Sequence, residues 1–183
     1  MSFNWATLFL LMSLQGFAQL PMDSLKGEQF SLHKTSNLKI QSADFTGSFS
    51  IVKGRIGYDF DSLKVKGFDL VVDVSSLDLI DPVMTKHAKS SDFFDVKNHP
   101  SITFWGENFL KSDSTYSVIG EMTAKGTTRD TEIAFKVVSA EKDAIQIQAD
   151  FIINRSDFNI GSEDAVSNEV TIHAEIIAYK KKK

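Results

Sequence analysis

The sequence contains no cysteine, only three prolines, and no apolar run long enough to cross a membrane as a helix. The absence of cysteine excludes disulfides, thiol nucleophiles, zinc ribbons, iron–sulfur sites and the lipid-bearing residue of a bacterial lipoprotein. The apolar run at residues 5–14 is cut by Gln15 and Gly16, below the ~20 residues that a spanning helix needs. With 42% hydrophobic and 24% charged residues, the chain has the composition of one ordinary globular domain.

Positive charge is concentrated at the end of the chain. The net charge is −4, and the four lysines Lys180–Lys183 stand together there. Without those four charges the body carries −8, which makes it a poor match for a phosphate backbone and excludes nucleic acid as a partner. We predict that residues 180–183 form a basic tail, either solvated or in transient contact with an anionic membrane.

Residues 1–18 have the pattern of a secretory signal peptide. The apolar segment at residues 5–14 is followed by Gly16-Phe17-Ala18, which places small residues before a cut at Gln19. The alternative is a retained N-terminal helix, because residues 1–4 carry no charged side chain. We predict export, with the mature protein periplasmic or secreted.

Beyond residue 27 the dominant hydrophobic period is two, which is typical of antiparallel strands with one buried face. Val170, Ile172 and Ala174, for example, alternate with Thr171 and His173. Such segments number about eight or nine, with short hairpin linkers and no sign of a domain boundary. The pattern predicts an all-β fold, either a sandwich or a closed barrel, and about eight strands leave room for one small ligand.

One of these strands changes its own register. Phe49 and Ile51 are apolar at odd positions, whereas Ile56 and Tyr58 are apolar at even positions. A shift of one residue would turn every side chain to the other face, so we predict a bulge or sharp bend at Gly54.

Residues 81–95 break the two-residue period and predict one helical insertion. Asp81 is a suitable N-cap and Pro82 a suitable first helical residue. The segment then presents Phe93 and Phe94 before the next strand.

Residues that could carry catalysis or bind a metal form no known pattern. The sequence lacks G-x-S-x-G, H-E-x-x-H and a complete phosphate-binding loop, and its four histidines are scattered. We predict no catalytic residue and no metal site. In an alternative interpretation, the protein is a hydrolase or isomerase in which His87 and Asp92 form the acid–base pair. Arg155 either ties the end of a strand to the acidic helical insertion or is an exposed loop residue.

Four stretches of sequence follow one another in a recognisable order. Residues 87–104 read HAKSSDFFDVKNHPSITF, with a His-x-x-Ser helix, an Asp-Phe-Phe-Asp segment and a proline before a strand. Residues 47–59, 120–128 and 154–161 add two glycine-bearing hairpins and an Arg-x-Asp-Phe loop. Together they resemble the YceI-like family over residues ~28–179, with Asn159 where that family often has glycine.

The resemblance implies an all-β, eight-stranded, antiparallel, lipocalin-like barrel over residues 19–179, in a family without established catalytic residues. Some members hold a polyisoprenoid, a quinone tail or another long amphiphile. We therefore predict an exported protein, not an enzyme, that carries or stores a polyisoprenoid, an isoprenoid quinone or a fatty-acid-like chain. Strand parity and the Phe93-Phe94 segment give the predicted cavity wall: Phe68, Leu70, Phe93, Phe94, Phe104, Tyr116, Val118, Phe135, Ile147, Phe151 and Ile172.

A barrel without a ligand is the main alternative. Parity cannot separate a packed interior from an open one, and the phenylalanines that would line a cavity could also fill it. In that case the protein would be a stress-related or interaction module. A homodimer is left open.

Overall fold

The structure is a computed structural model that describes residues 25–112, 115–162 and 164–180. These residues form eleven strands, one α-helix and two short 3₁₀ helices. The strands are β1 Glu28–Leu32, β2 Asn37–Gln41, β3 Thr46–Phe49, β4 Val52–Asp59, β5 Lys64–Asp73, β6 Leu77–Asp78, β7 Ser101–Ser112, β8 Thr115–Ala124, β9 Thr127–Glu141, β10 Ala144–Asn154 and β11 Glu169–Lys180. The helix α1 is Pro82–Ala88, and the 3₁₀ helices are Val74–Ser76 and Arg155–Phe158.

Eight of the strands close into an antiparallel barrel in the order β1-β4-β5-β7-β8-β9-β10-β11, with β11 pairing back to β1. The predicted eight-stranded barrel is thereby confirmed. Strand β11 is shared along its length. Its last residues, Ala178–Lys180, pair with β1, whereas Thr171–Glu175 pair with β2. Strands β2, β3 and β6 therefore extend the sheet at one end of the barrel, and we name that end the helix end because α1 follows β6.

The opposite end is formed by turns, and we name it the hairpin end. The β4–β5 and β9–β10 connections lie there, at residues 60–63 and 142–143, and β7 ends and β8 begins at the same end. The β8–β9 turn lies at the helix end, where Lys125 and Gly126 have φ angles of 46° and 73°. Two consecutive positive φ values are typical of the tight type I′ hairpin turn, which matches the twist of its strands.

The predicted irregularity at Gly54 is placed differently by the structure. Gly54 keeps a regular pairing with Leu70, and the ladder of β4 and β5 shifts between Gly57 and Tyr58. The change of apolar parity has another cause, because the chain leaves β3 at Phe49 and starts β4 at Val52. The change of parity therefore marks the boundary between β3 and β4, and is not a bend within a single strand.

The helical insertion is shorter than predicted. The Asp81 carboxylate accepts hydrogen bonds from the backbone N–H groups of Val83 and Met84 at 2.7 and 3.2 Å, as expected of an N-cap. The helix ends at Ala88, and residues 89–95 continue as turns. None of the helices in the described part of the chain is long and apolar enough to cross a membrane.

The predicted basic tail begins one residue too early. Lys180 belongs to β11, where it pairs with Phe30 and forms an ion pair with Glu28. Residues 181–183 and the predicted signal peptide at residues 1–18 lie outside the described residues.

The left-handed backbone of Asn159 gives a direct test of the fold. This residue has φ 56° and ψ 32°, a region that glycine and asparagine tolerate and that β-branched residues do not. We expect Asn159→Val to lower the free energy of unfolding by about 1–2 kcal/mol. Asn159→Gly should change the free energy of unfolding by only a few tenths of a kcal/mol. Urea unfolding of both variants measures the difference. Equal stabilities would contradict the backbone assignment.

Candidate functional site

An apolar cavity of about 360 Å³ occupies the helix end of the barrel. It extends from the side chains of Phe68 and Phe135, inside the barrel, to the segment that carries α1. His87, Thr103 and Arg155 are the three lining residues that are not hydrocarbon or thioether in character. The remaining wall is Leu38, Ile40, Phe45, Phe49, Val52, Phe68, Leu70, Val72, Leu77, Leu79, Val83, Met84, Ala88, Phe93, Phe94, Ile102, Phe104, Met122, Ala124, Ile133, Phe135, Ile147, Ala149, Phe151, Ile153, Ile160, Val166, Val170, Ile172, Ala174 and Ile176.

The side walls follow from the two-residue period of the long strands. On β11 the inward residues from Val170 to Ile176 line the cavity, and their outward neighbours such as His173 face solvent. Small residues keep this part of the barrel open. Ala149 pairs with Phe135 on one side and with Ala174 on the other. Because neither alanine reaches far from its strand, the space beside the Phe135 ring is not filled from this wall.

The hairpin end of the barrel is filled by an aromatic plug, which we define as Phe30, Tyr58, Phe60, Phe109 and Tyr116. Phe30, Tyr58 and Tyr116 are buried, and Phe60 packs against the rings of the first two at 6.0 and 4.8 Å. The Tyr116 hydroxyl donates to the carbonyl oxygen of Leu63 at 2.9 Å. Burial, with smaller contributions from Tyr116 and Asp59, raises the pKa of Tyr58 above its usual value.

The plug meets the cavity at two phenylalanines. The Phe135 ring stacks on Tyr116 with centroids 5.2 Å apart, and Phe68 packs against Phe135 and Phe109 at 5.0 and 5.5 Å. Phe68 and Phe135 line the cavity, whereas Phe109 and Tyr116 lie behind them. We call Phe68 and Phe135 the floor of the cavity.

The helical insertion covers part of the other end. Phe94 packs edge-on against Phe49 at 6.0 Å, and His87 packs against Phe93 at 4.9 Å. Phe93 in turn rests on Gly161, where an added Cβ would come within 2.6 Å of the ring. The segment after α1 is thereby held against the loop that follows β10.

Arg155 holds that loop from inside. Its side chain is 3% exposed and donates to the carbonyl oxygens of Ser167 and Ile160 at 3.1 and 2.7 Å, and to that of Val166. The prediction of an exposed loop arginine is therefore wrong. These described bonds reach the loop at residues 160–167, and the predicted tie to the acidic helical insertion is not among them.

The proposed acid–base pair is not assembled. His87 is exposed at the edge of the cavity with its ring against Phe93, and Asp92 accepts a hydrogen bond from Ser91 at 3.4 Å. No hydrogen bond joins His87 to Asp92 among the described residues. Over the same residues, no three histidine, aspartate or glutamate side chains come together as a group that could hold a metal ion.

The structure places nine of the eleven predicted wall residues on the cavity: Phe68, Leu70, Phe93, Phe94, Phe104, Phe135, Ile147, Phe151 and Ile172. The other two, Tyr116 and Val118, point inward but lie in the filled half. Val118 is fully buried and packs over Gly106, and Tyr116 belongs to the plug. Contact of any of these residues with a ligand stays a prediction.

Several parts of the wall lie outside the predicted set, among them β2 and the edge near α1. Strand β2 contributes Leu38 and Ile40, and the segment from Leu77 to Met84 forms the edge near α1. Leu38 and Ile40 alternate with Lys39 and Gln41, so their parity was a usable signal. The edge near α1 carries no such period.

The closed antiparallel barrel with an internal apolar cavity defines the class: an eight-stranded β-barrel of the lipocalin-like type. The model of the YceI-like domain matches residues 25–178, and the chain belongs to this family. A UPF0312 protein of Vibrio vulnificus is 31% identical over 137 residues, which cover 70% of this chain and 72% of the relative.

Solved structures of low sequence identity have the same fold. BcnA of Burkholderia cenocepacia superposes with a TM-score of 0.71 at 24% identity, covering 78% of this chain and 96% of BcnA. A polyisoprenoid binding domain from Saccharophagus degradans gives a TM-score of 0.67 at 15% identity, covering 83% and 98% of the two chains. The predicted family and barrel are both confirmed.

The buried Arg155 gives a second test. Arg155→Met takes away the buried charged group that donates to the backbone carbonyls of Ile160, Val166 and Ser167, so we expect the free energy of unfolding to fall by roughly 2–4 kcal/mol. Arg129→Met is the matched control, because Arg129 is exposed, and its effect should stay within about 0.5 kcal/mol. Urea unfolding checks both values. An Arg155 variant as stable as the control would show that these bonds contribute little.

Proposed function

We propose that this protein binds a long apolar amphiphile, with the hydrocarbon chain in the cavity and the polar end at the helix end of the barrel. The ligand class is a polyisoprenoid, an isoprenoid quinone or a fatty-acid-like chain. The role is transport or storage in the periplasm or outside the cell, by binding and without catalysis.

The observation that carries the proposal is the chemistry of the cavity wall. All but three of its lining residues offer only hydrocarbon or thioether surface. Arg155 already donates hydrogen bonds to backbone carbonyls. The wall therefore suits a hydrocarbon chain, which forms no hydrogen bonds. A hydrocarbon chain gains about 0.8 kcal/mol for each methylene removed from water. About ten methylenes would supply roughly 8 kcal/mol before the costs of binding, which is enough for useful affinity.

The position of the floor also helps to decide between ligand binding and the alternative of a barrel filled by its own side chains. Aromatic side chains do fill the hairpin end, as that alternative expects, but the helix end keeps a volume within the usual range of ligand pockets, about 300–1,000 Å³. A half-filled barrel favours binding over a purely structural role. The name of the Saccharophagus degradans domain, a polyisoprenoid binding domain, agrees with this ligand class.

Two tryptophan substitutions on β10 test the proposal. Ile153 is a partly buried wall residue, whereas its neighbour Ile152 is 60% exposed on the outer face. We expect Ile153→Trp to weaken binding of a fluorescent fatty acid at least about tenfold, because the indole would occupy the volume that the chain needs. Ile152→Trp should bind like the unmodified protein.

Native mass spectrometry after mild purification is the complementary measurement. We expect an added mass that organic solvent releases. A protein that carries no such mass and binds neither the fluorescent fatty acid nor an isoprenoid alcohol would contradict the proposal. Equal loss of binding in both tryptophan variants would place the ligand somewhere other than the cavity.

Export is a separate part of the proposal, and it rests on the sequence of residues 1–18. We expect the protein from the periplasmic or culture fraction to begin at Gln19, because small residues precede that position. The mass of the intact mature protein measures the cut. Recovery from the cytosol of a chain that retains residues 1–18 would count against export and leave ligand binding untouched.

A further inference from the structure

The floor of the cavity lies part-way along the barrel. Phe135 is 2% exposed and Phe68 is 5% exposed, and both touch the cavity on one side and the aromatic plug on the other. The plug closes the space between the floor and the hairpin end, so a chain that enters at the helix end meets aromatic rings before it reaches the far end.

The plug is fixed by contacts on several sides. Tyr116 stacks on Phe135 at an interplanar angle of 15° and is tied through its hydroxyl to the β4–β5 turn at Leu63. The ammonium group of Lys111 lies 5.2 Å from the centre of the Tyr116 ring. Phe109 packs against Phe68 and Phe135 at 5.5 and 6.1 Å. Moving the floor aside would therefore require several packed rings to shift together.

The length available above the floor follows from the wall. On β11 the lining residues run from Val170 to Ile176, which is about 20 Å of strand at roughly 3.3 Å per residue. A barrel strand is tilted by about 40°, so the depth along the axis is about 15 Å. An extended chain advances about 1.2 Å per bond, as the dimensions of the polypeptide backbone show, and roughly 12 chain atoms fit this depth.

We infer that Phe68 and Phe135 set an upper limit on the length of the bound chain, at roughly three isoprene units or the equivalent alkyl length. This inference rests on the proposed function and narrows it. The ligand is a short isoprenoid or a medium-length alkyl amphiphile, and any further part of a longer chain stays outside the cavity in water.

A length series of isoprenoid alcohols tests the limit. We would measure displacement of a fluorescent fatty acid by alcohols of two, three, four and eight isoprene units. For the unmodified protein we expect affinity to rise by at least about tenfold per unit up to three or four units, since each unit buries several carbon atoms. Between four and eight units the change should be less than about threefold.

Three variants locate the limit at the floor. Phe135→Ala removes a floor ring and should move the limit to a longer alcohol by at least one unit. Ala149→Leu adds volume beside Phe135 and should move it to a shorter one. Tyr179→Ala is the control, because it removes an aromatic ring from the exposed outer face of β11, away from the cavity, and should leave the limit unchanged. Circular dichroism establishes that each variant is folded, and if Phe135→Ala is not, Phe68→Leu replaces it.

The outcomes separate the inference from the proposed function. Affinity that continues to rise to eight units in the unmodified protein, or a limit that stays constant in folded floor variants, overturns the inference and leaves lipid binding intact. If no alcohol and no fatty acid binds the unmodified protein, the proposed function fails and the inference fails with it. Opposite shifts in Phe135→Ala and Ala149→Leu, with an unchanged control, support it.

Discussion

The size of the residues that point into the barrel is the constraint on which the site depends. Eight closed strands enclose a space that side chains can either fill or leave open for one small ligand, so the size of the inward residues decides between the two. Here two alanines, Ala149 and Ala174, stand beside Phe135, and the stacked pair of Phe135 and Tyr116 lies just beyond. The same barrel is therefore a packed core at the hairpin end and a container at the helix end.

The container needs support that the packed half does not. An apolar cavity forfeits the dispersion contacts that filled interiors make, so its end must be held by other interactions. Arg155 binds the carbonyl groups of the loop at residues 160–167, Asp81 caps α1, and Phe93 rests on Gly161. Arg155 and Asp81 each fix one of the two segments that border the cavity at this end, and the contact of Phe93 with Gly161 joins these segments. A ligand that binds only the folded state would add its own stabilisation by mass action.

Local patterns predicted the fold well and the depth of the site poorly. The strands follow from a two-residue period, and the start of α1 follows from Asp81 and Pro82, because both signals are contained in a few neighbouring residues. Parity also assigned Tyr116 and Val118 to the interior. It could not say that they lie in the filled half, because that depends on rings contributed by strands distant in the sequence. For a similar reason, the sequence did not reveal that Arg155 is buried, since its hydrogen-bond partners lie in a loop with no hydrophobic period.

The position of the charged and polar groups indicates how an amphiphile would be oriented. The hairpin end is closed by rings and by the hydrogen bond from Tyr116 to Leu63, so the polar end of a ligand has no place there. His87 lies exposed at the helix end, next to the cavity, and can meet a polar group without losing its contact with water. Arg155 also lines the cavity but already donates to backbone carbonyls. An amphiphile bound as proposed would therefore be held by the hydrocarbon surface of its tail, and its orientation would be set by which end of the barrel is open.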